Sequence, residues 1–146
     1  MNKLPTMQNR NSIPTRQPIL ILCVDDEENI LKALKRVFRG EPYRVLMATT
    51  GSQGLAILQG ADEIGLILSD LRMPDMTGTD FLTMAKALTP RIPRIILTGQ
   101  ADKNSAQEAV RSGVAFCVLL KPWDDPVLLQ AVRDGLKGNF HYEEAG

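Results

Sequence analysis

The stretch Ile64-Gly65-Leu66-Ile67-Leu68-Ser69-Asp70-Leu71-Arg72-Met73-Pro74-Asp75-Met76-Thr77-Gly78 runs from apolar sequence into a carboxylate and then into a loop whose path Pro74 and Gly78 fix. A short apolar run without polar alternation is the mark of a strand buried on both faces, as in a parallel sheet. Three other runs end the same way. Ile19–Val24 ends in Asp25-Asp26, Ile95-Ile96-Leu97 ends in Thr98, and Phe116-Cys117-Val118-Leu119-Leu120 ends in Lys121-Pro122. If these runs are neighbouring parallel strands, their carboxyl ends meet in one crevice. Open α/β sheets bind their ligands there.

Outward from these runs, strand and helix patterns alternate five times. The strands are Ile19–Val24, Tyr43–Ala48, Ile64–Ser69, Arg94–Thr98 and residues 115–120. The first helix covers residues 27–39, with a stripe at Ile30, Leu34, Val37 and Phe38, and stops at Gly40. The second opens at Thr50, where Gln53 completes a capping-box pattern, and ends at Gly60. The third starts near Thr77, buries Phe81, Met84, Ala85 and Leu88, and is ended by Pro90. The fourth covers residues 103–112. Its apolar side is only Ala106, Ala109 and Val110, which implies a loosely held helix. The fifth follows Asp124-Asp125, with Pro126 in its first turn and Leu128, Ala131, Val132, Gly135 and Leu136 on its buried face. This alternation predicts a parallel sheet with helices on both faces. The mixed second strand suits an edge, whereas strands one, three and five are apolar on both faces.

A chain of 146 residues fits one domain with short extras. Residues 19–138 are expected to be that domain, residues 1–18 a disordered leader with Pro5, Pro14 and Pro18, and residues 139–146 a tail or the start of a linker. Formal net charge is zero, so no global field recruits nucleic acid or an anionic membrane. The apolar runs are strand-length, too short to span a bilayer. No apolar h-region begins the chain, which reads as cytoplasmic. Cys23 and Cys117 lie inside apolar runs and read as two buried reduced thiols. His141 stands alone in a polar tail, so a histidine-borne phosphoryl group must come from another protein.

The strand ends carry the chemistry. Adjacent Asp25 and Asp26 stay ionised together only near a cation or good donors. Alone, the pair reads equally as the cap of the first helix. Asp70 adds a third carboxylate, and three clustered carboxylates without histidine suit Mg²⁺. Asp70 is then the nucleophile for phosphorus. Lys121 supplies positive charge to the phosphoryl oxygens and Thr98 a hydroxyl donor. Taken singly, Lys121 reads as a surface lysine and Thr98 as a strand end. The loop after Asp70 curls back, which brings the backbone carbonyl of Arg72 within reach of a metal. No Walker loop or dinucleotide fingerprint follows the first strand. An aspartyl-phosphate phosphatase needs a second acid two residues after its nucleophile, and position 72 is Arg.

These residues resemble the receiver domain of two-component response regulators. The resemblance covers about residues 19–137. It rests on Val24-Asp25-Asp26-Glu27, on Asp70 followed by Met73-Pro74 and by Met76 and Gly78, on Thr98, and on Lys121-Pro122. It implies a flavodoxin-like (βα)5 sandwich with strand order 2-1-3-4-5. It implies that Asp70 accepts a phosphoryl group from a sensor histidine kinase or phosphotransfer protein. Asp26, Asp70 and the Arg72 carbonyl would bind Mg²⁺ directly, and Asp25 through water. Thr98 and Lys121 would read the phosphoryl group and move a partner surface made of the fourth helix, fifth strand and fifth helix, the family's dimerisation face. The Lys121-Pro122 peptide would be cis. Thr98-Gly99 and Lys121-Pro122-Trp123-Asp124-Asp125 resemble receivers fused to HD-GYP phosphodiesterases. One departure concerns the aromatic switch residue, often found three positions before the lysine. Val118 stands there, with Phe116 one alternation period earlier. A receiver-like interaction domain that works without phosphorylation is the competing reading.

Overall fold

Parallel neighbours need a crossover connection, and in this chain a helix supplies each one. The computed structural model describes residues 17–60 and 63–138. The elements are β1 (Ile19–Val24), α1 (Glu28–Val37), β2 (Tyr43–Ala48), α2 (Gly51–Gln59), β3 (Ile64–Ser69), α3 (Gly78–Leu88), β4 (Arg94–Thr98), α4 (Lys103–Arg111), β5 (Cys117–Leu120) and α5 (Asp125–Lys137). The five strands form one parallel sheet in the order β2-β1-β3-β4-β5. This is the flavodoxin-like arrangement expected of the resemblance.

The two-residue period of β1 sends alternate side chains to opposite faces. Leu22 and Val24 join Ile67, Phe81, Ala85, Ala106 and Ala109 under α2, α3 and α4. Ile21 and Cys23 join Leu31, Leu34, Leu66, Leu128 and Val132 under α1 and α5. β1 lies between β2 and β3, and all but its first two residues are buried. β5 is the second edge, and each of its four residues is only half-buried.

Several expectations need correction. The strand expected over residues 115–120 begins at Cys117, because the Ala115 N–H bonds back to the Ala109 carbonyl at the exit of α4. The first helix is shorter at both ends: Glu27 is its cap, and Phe38 closes it in a turn that passes through Gly40 at φ +87°. On α3, Leu82 is buried with Phe81 and Ala85, whereas Met84 and Leu88 are nearly half exposed. Thr50 caps α2 by accepting the Gln53 N–H, but the Gln53 side chain reaches back to the Thr49 N–H, one residue beyond the box. Cys117 is half-buried rather than buried, and burial pushes its thiol up to about 12. Both thiols are free, and β3 and β4 separate their strands. Residues 1–16, residues 139–146 and His141 lie outside the described residues.

Candidate functional site

The register brings the chemistry together at the carboxyl ends of four strands: Asp25, Asp70 and Lys121 stand one residue past β1, β3 and β5, and Thr98 is the last residue of β4. Val24 stands opposite Ala48 on one side and Ser69 on the other, and Thr98 opposite Leu120. The next backbone amides continue the ladder. Asp25 N–H donates to the Ala48 carbonyl, Asp70 N–H to Val24 and Lys121 N–H to Thr98. Each side chain is thus held by two strands.

The Thr98 hydroxyl donates to Asp70 Oδ1 at 2.7 Å, and the Leu71 N–H donates to the same oxygen at 2.7 Å. Lys121 Nζ lies 2.7 Å from Asp25 Oδ2, 3.2 Å from Asp70 Oδ2 and 3.5 Å from Glu27 Oε1. Asp25 Oδ1 accepts the Glu27 N–H at 2.9 Å. Asp25, Asp70 and Thr98 are buried, Lys121 is half-buried and Asp26 is exposed at the rim. Each of the three aspartates offers a carboxylate oxygen, and these lie within 4.8 Å of one another. An all-oxygen donor set of this kind fits a hard divalent cation that keeps part of its water shell.

Burial raises the pKa of Asp25 and Asp70 repels its charge, against the hydrogen bonds from Lys121 and Glu27. Burial opposes the charge of Lys121, but Asp25 and Asp70 outweigh it and its pKa is raised. Burial is the largest effect on both groups; it prevails at Asp25, with a smaller repulsion from Asp70, whereas at Lys121 two facing carboxylates overcome it.

The loop after β3 closes on itself through Gly78 N–H to the Leu71 carbonyl at 2.8 Å. A Cβ on Gly78 would collide with the Asp70 carbonyl oxygen, so the crossing tolerates no side chain. The Arg72 side chain is exposed and pairs with Asp102 at 2.7 Å, joining this loop to the turn before α4. The Lys121-Pro122 peptide is cis. Phe116 packs under α5 against Gly135, on the face opposite Val118, so it does not take the aromatic position. Glu27, Asp75 and Asp102 also contribute contacts here, and no motif in the sequence assigns them a role. Glu27 was visible only as the last member of the quartet, and the other two only as carboxylates in loops.

The family model for the response regulator receiver domain matches residues 21–133. The chain belongs to this family. The receiver domain is 36% identical over 123 residues to the transcriptional regulatory protein GlrR of Escherichia coli (strain K12), covering 84% of this chain and 27% of that protein. It is 35% identical over 110 residues to the transcriptional regulatory protein FixJ of Rhizobium meliloti (strain 1021), covering 75% of this chain and 53% of that one. The chain thus spans about a quarter to a half of the curated relatives it matches. The solved signal receiver domain of an HD domain-containing protein from Pseudomonas fluorescens Pf-5 superposes with a TM-score of 0.78 and 33% identity, covering 88% of this chain and 93% of that one. The receiver domain is therefore a module of two-component systems. Among the described residues, no helix is long and apolar enough to cross a membrane.

Proposed function

We propose that this receiver domain takes a phosphoryl group onto Asp70 from the phosphohistidine of a sensor histidine kinase or phosphotransfer protein, in a Mg²⁺-dependent reaction. The single observation that carries this reading is the pairing of the two Asp70 oxygens with Thr98 and Lys121 beside two further carboxylates. Asp70 Oδ1 already accepts two hydrogen bonds, which leaves Oδ2, beside Lys121, to attack. The O–P bond forms, the donor's P–N bond breaks, and the imidazole leaves with the electron pair and gains a proton. Lys121 Nζ and the Thr98 hydroxyl then donate to phosphoryl oxygens. Asp26, Asp70 and the Arg72 carbonyl would hold the cation directly, and Asp25 would act through water. When bound, Mg²⁺ neutralises charge on the phosphoryl oxygens. Water releases the phosphate later, so the domain catalyses only its own phosphorylation and dephosphorylation.

Thr98 leads into the turn before α4, and Lys121 leaves β5 toward α5. Phosphorylation therefore acts on the surface of α4, β5 and α5, which meets a protein partner, a fused output domain of HD type or a second copy of this chain. GlrR and FixJ are named transcriptional regulators, but with zero net charge this chain is read as making no direct nucleic-acid contact. Its place is the cytoplasm. Val118, where an aromatic is frequent, favours the alternative of an interaction domain that does not switch.

Incubation with acetyl phosphate and Mg²⁺, followed by intact mass measurement, tests the reading. One phosphoryl adduct that EDTA abolishes is expected. No adduct at any Mg²⁺ concentration supports the non-switching domain.

A further inference from the structure

We propose that Asp75 is a positioning residue for phosphoryl transfer, bracing the loop that carries Arg72 against the start of α2. This rests on the Mg²⁺-dependent reading above.

The two elements meet across more than twenty residues of sequence. Asp75 Oδ1 accepts the Gly51 N–H at 3.0 Å. Asp75 Oδ2 accepts the Ser52 N–H at 2.9 Å and the Ser52 hydroxyl at 2.6 Å. Both amides belong to the first turn of α2, where no intrahelical acceptor exists and negative charge is favoured. The contact is reinforced next door. A Cβ on Gly51 would lie 2.6 Å from Met76 Cγ, so the helix start and the loop touch closely. Further along, the loop is pinned by the Gly78 to Leu71 hydrogen bond, with Gly78 pressed on the Asp70 carbonyl.

Arg72 lies between these two fixed points. The brace at Asp75 and Met76 and the closure at Leu71 and Gly78 fix both sides of the backbone whose Arg72 carbonyl is proposed above as a metal ligand. The reference is itself fixed, because Thr50 caps α2 and Gly54 packs on Phe81 and Val24. Asp75 touches none of the proposed reacting groups, so it acts through the loop. Groups that orient metal ligands from outside commonly change metal affinity by tenfold or more when removed.

The test is calorimetric titration of Mg²⁺ into wild type, Asp75→Ala, Asp75→Asn and Ser52→Ala, with acetyl phosphate labelling rates at rising Mg²⁺ and melting curves without metal. Asp75→Ala is expected to raise the Kd for Mg²⁺ about tenfold, with a labelling deficit that shrinks as Mg²⁺ rises. Asp75→Asn keeps one acceptor oxygen and Ser52→Ala keeps two backbone donors, so both should fall between wild type and Ala. A lower melting temperature with wild-type Mg²⁺ affinity would make Asp75 a helix cap only and overturn the proposal. If Asp75→Ala does not fold, wild-type affinity in the other two variants overturns it equally. Wild type that neither binds Mg²⁺ nor takes up phosphate overturns the functional reading and this inference together. Wild type that does both, matched by the variants, overturns the inference alone.

Discussion

Asp25 is 2% exposed, and the raised pKa means that folding holds its proton more tightly than the unfolded chain does. The stability from this group is therefore full below its ordinary value of 3.8 and lost as pH rises through the raised one. Lys121 has the same sign in a different window: its stabilisation is full below 10.5 and lost as pH rises through its raised value, so it is intact at neutral pH. Asp25→Asn removes a buried charge that the metal-free fold disfavours. We expect it to raise the metal-free melting temperature at pH 7 and to weaken Mg²⁺ binding by calorimetry; a melting temperature that falls would contradict this. Lys121→Ala should leave much of the Mg²⁺ affinity but abolish the effect of phosphorylation on partner affinity, and an undiminished effect would count against its coupling role. That Asp25, Asp26, Asp70, Thr98 and Lys121 gather at one end of the sheet was legible because each stands at the end of an apolar run or within two residues of it. Glu27 and Asp75 were not, because their partners depend on how loops return across the sheet.

Among the elements, short apolar runs marked the buried strands and apolar stripes with capping patterns marked the helices, and four of the five strands have their expected bounds, β1, β2 and β3 because turn residues flank them closely. β4 also matches, but its first residue, Arg94, is 1% exposed and donates to the Ile92 and Val114 carbonyls, a burial that no periodicity announces. The face of α3 was misread for a geometric reason. Apolar residues at 81, 82, 84, 85 and 88 fit two overlapping stripes, and only packing under β1 and α2 selects Phe81, Leu82 and Ala85. The difference is measurable by urea unfolding. Phe81→Ala should cost about 3–5 kcal/mol, whereas Met84→Ala on the exposed side should change stability by about 0.5 kcal/mol or less. Similar costs for the two would contradict the assigned face. Thin packing of α4 through Ala106 and Ala109 leaves it the helix least tied to the sheet by large side chains, which suits the switching surface proposed above.

For the whole molecule, alternation of strand and helix specifies a parallel sheet but not the order of its strands; the order 2-1-3-4-5 came with the family resemblance and places β1 and β3 side by side at the centre. That adjacency is why Asp25 and Asp70 share one lysine. If α4, β5 and α5 form a dimer face, sedimentation should show a larger mass with beryllofluoride and Mg²⁺ than without; equal masses would exclude phosphorylation-dependent dimerisation. Asp70 itself is proposed to carry the phosphoryl group. The most direct test is to label the domain with acetyl phosphate and Mg²⁺, reduce the acyl phosphate with borohydride and map the altered residue by peptide mass spectrometry. A single reduced site at Asp70, absent from Asp70→Asn, is expected; a label at another residue, or undiminished labelling of the variant, would rule out Asp70 as the acceptor.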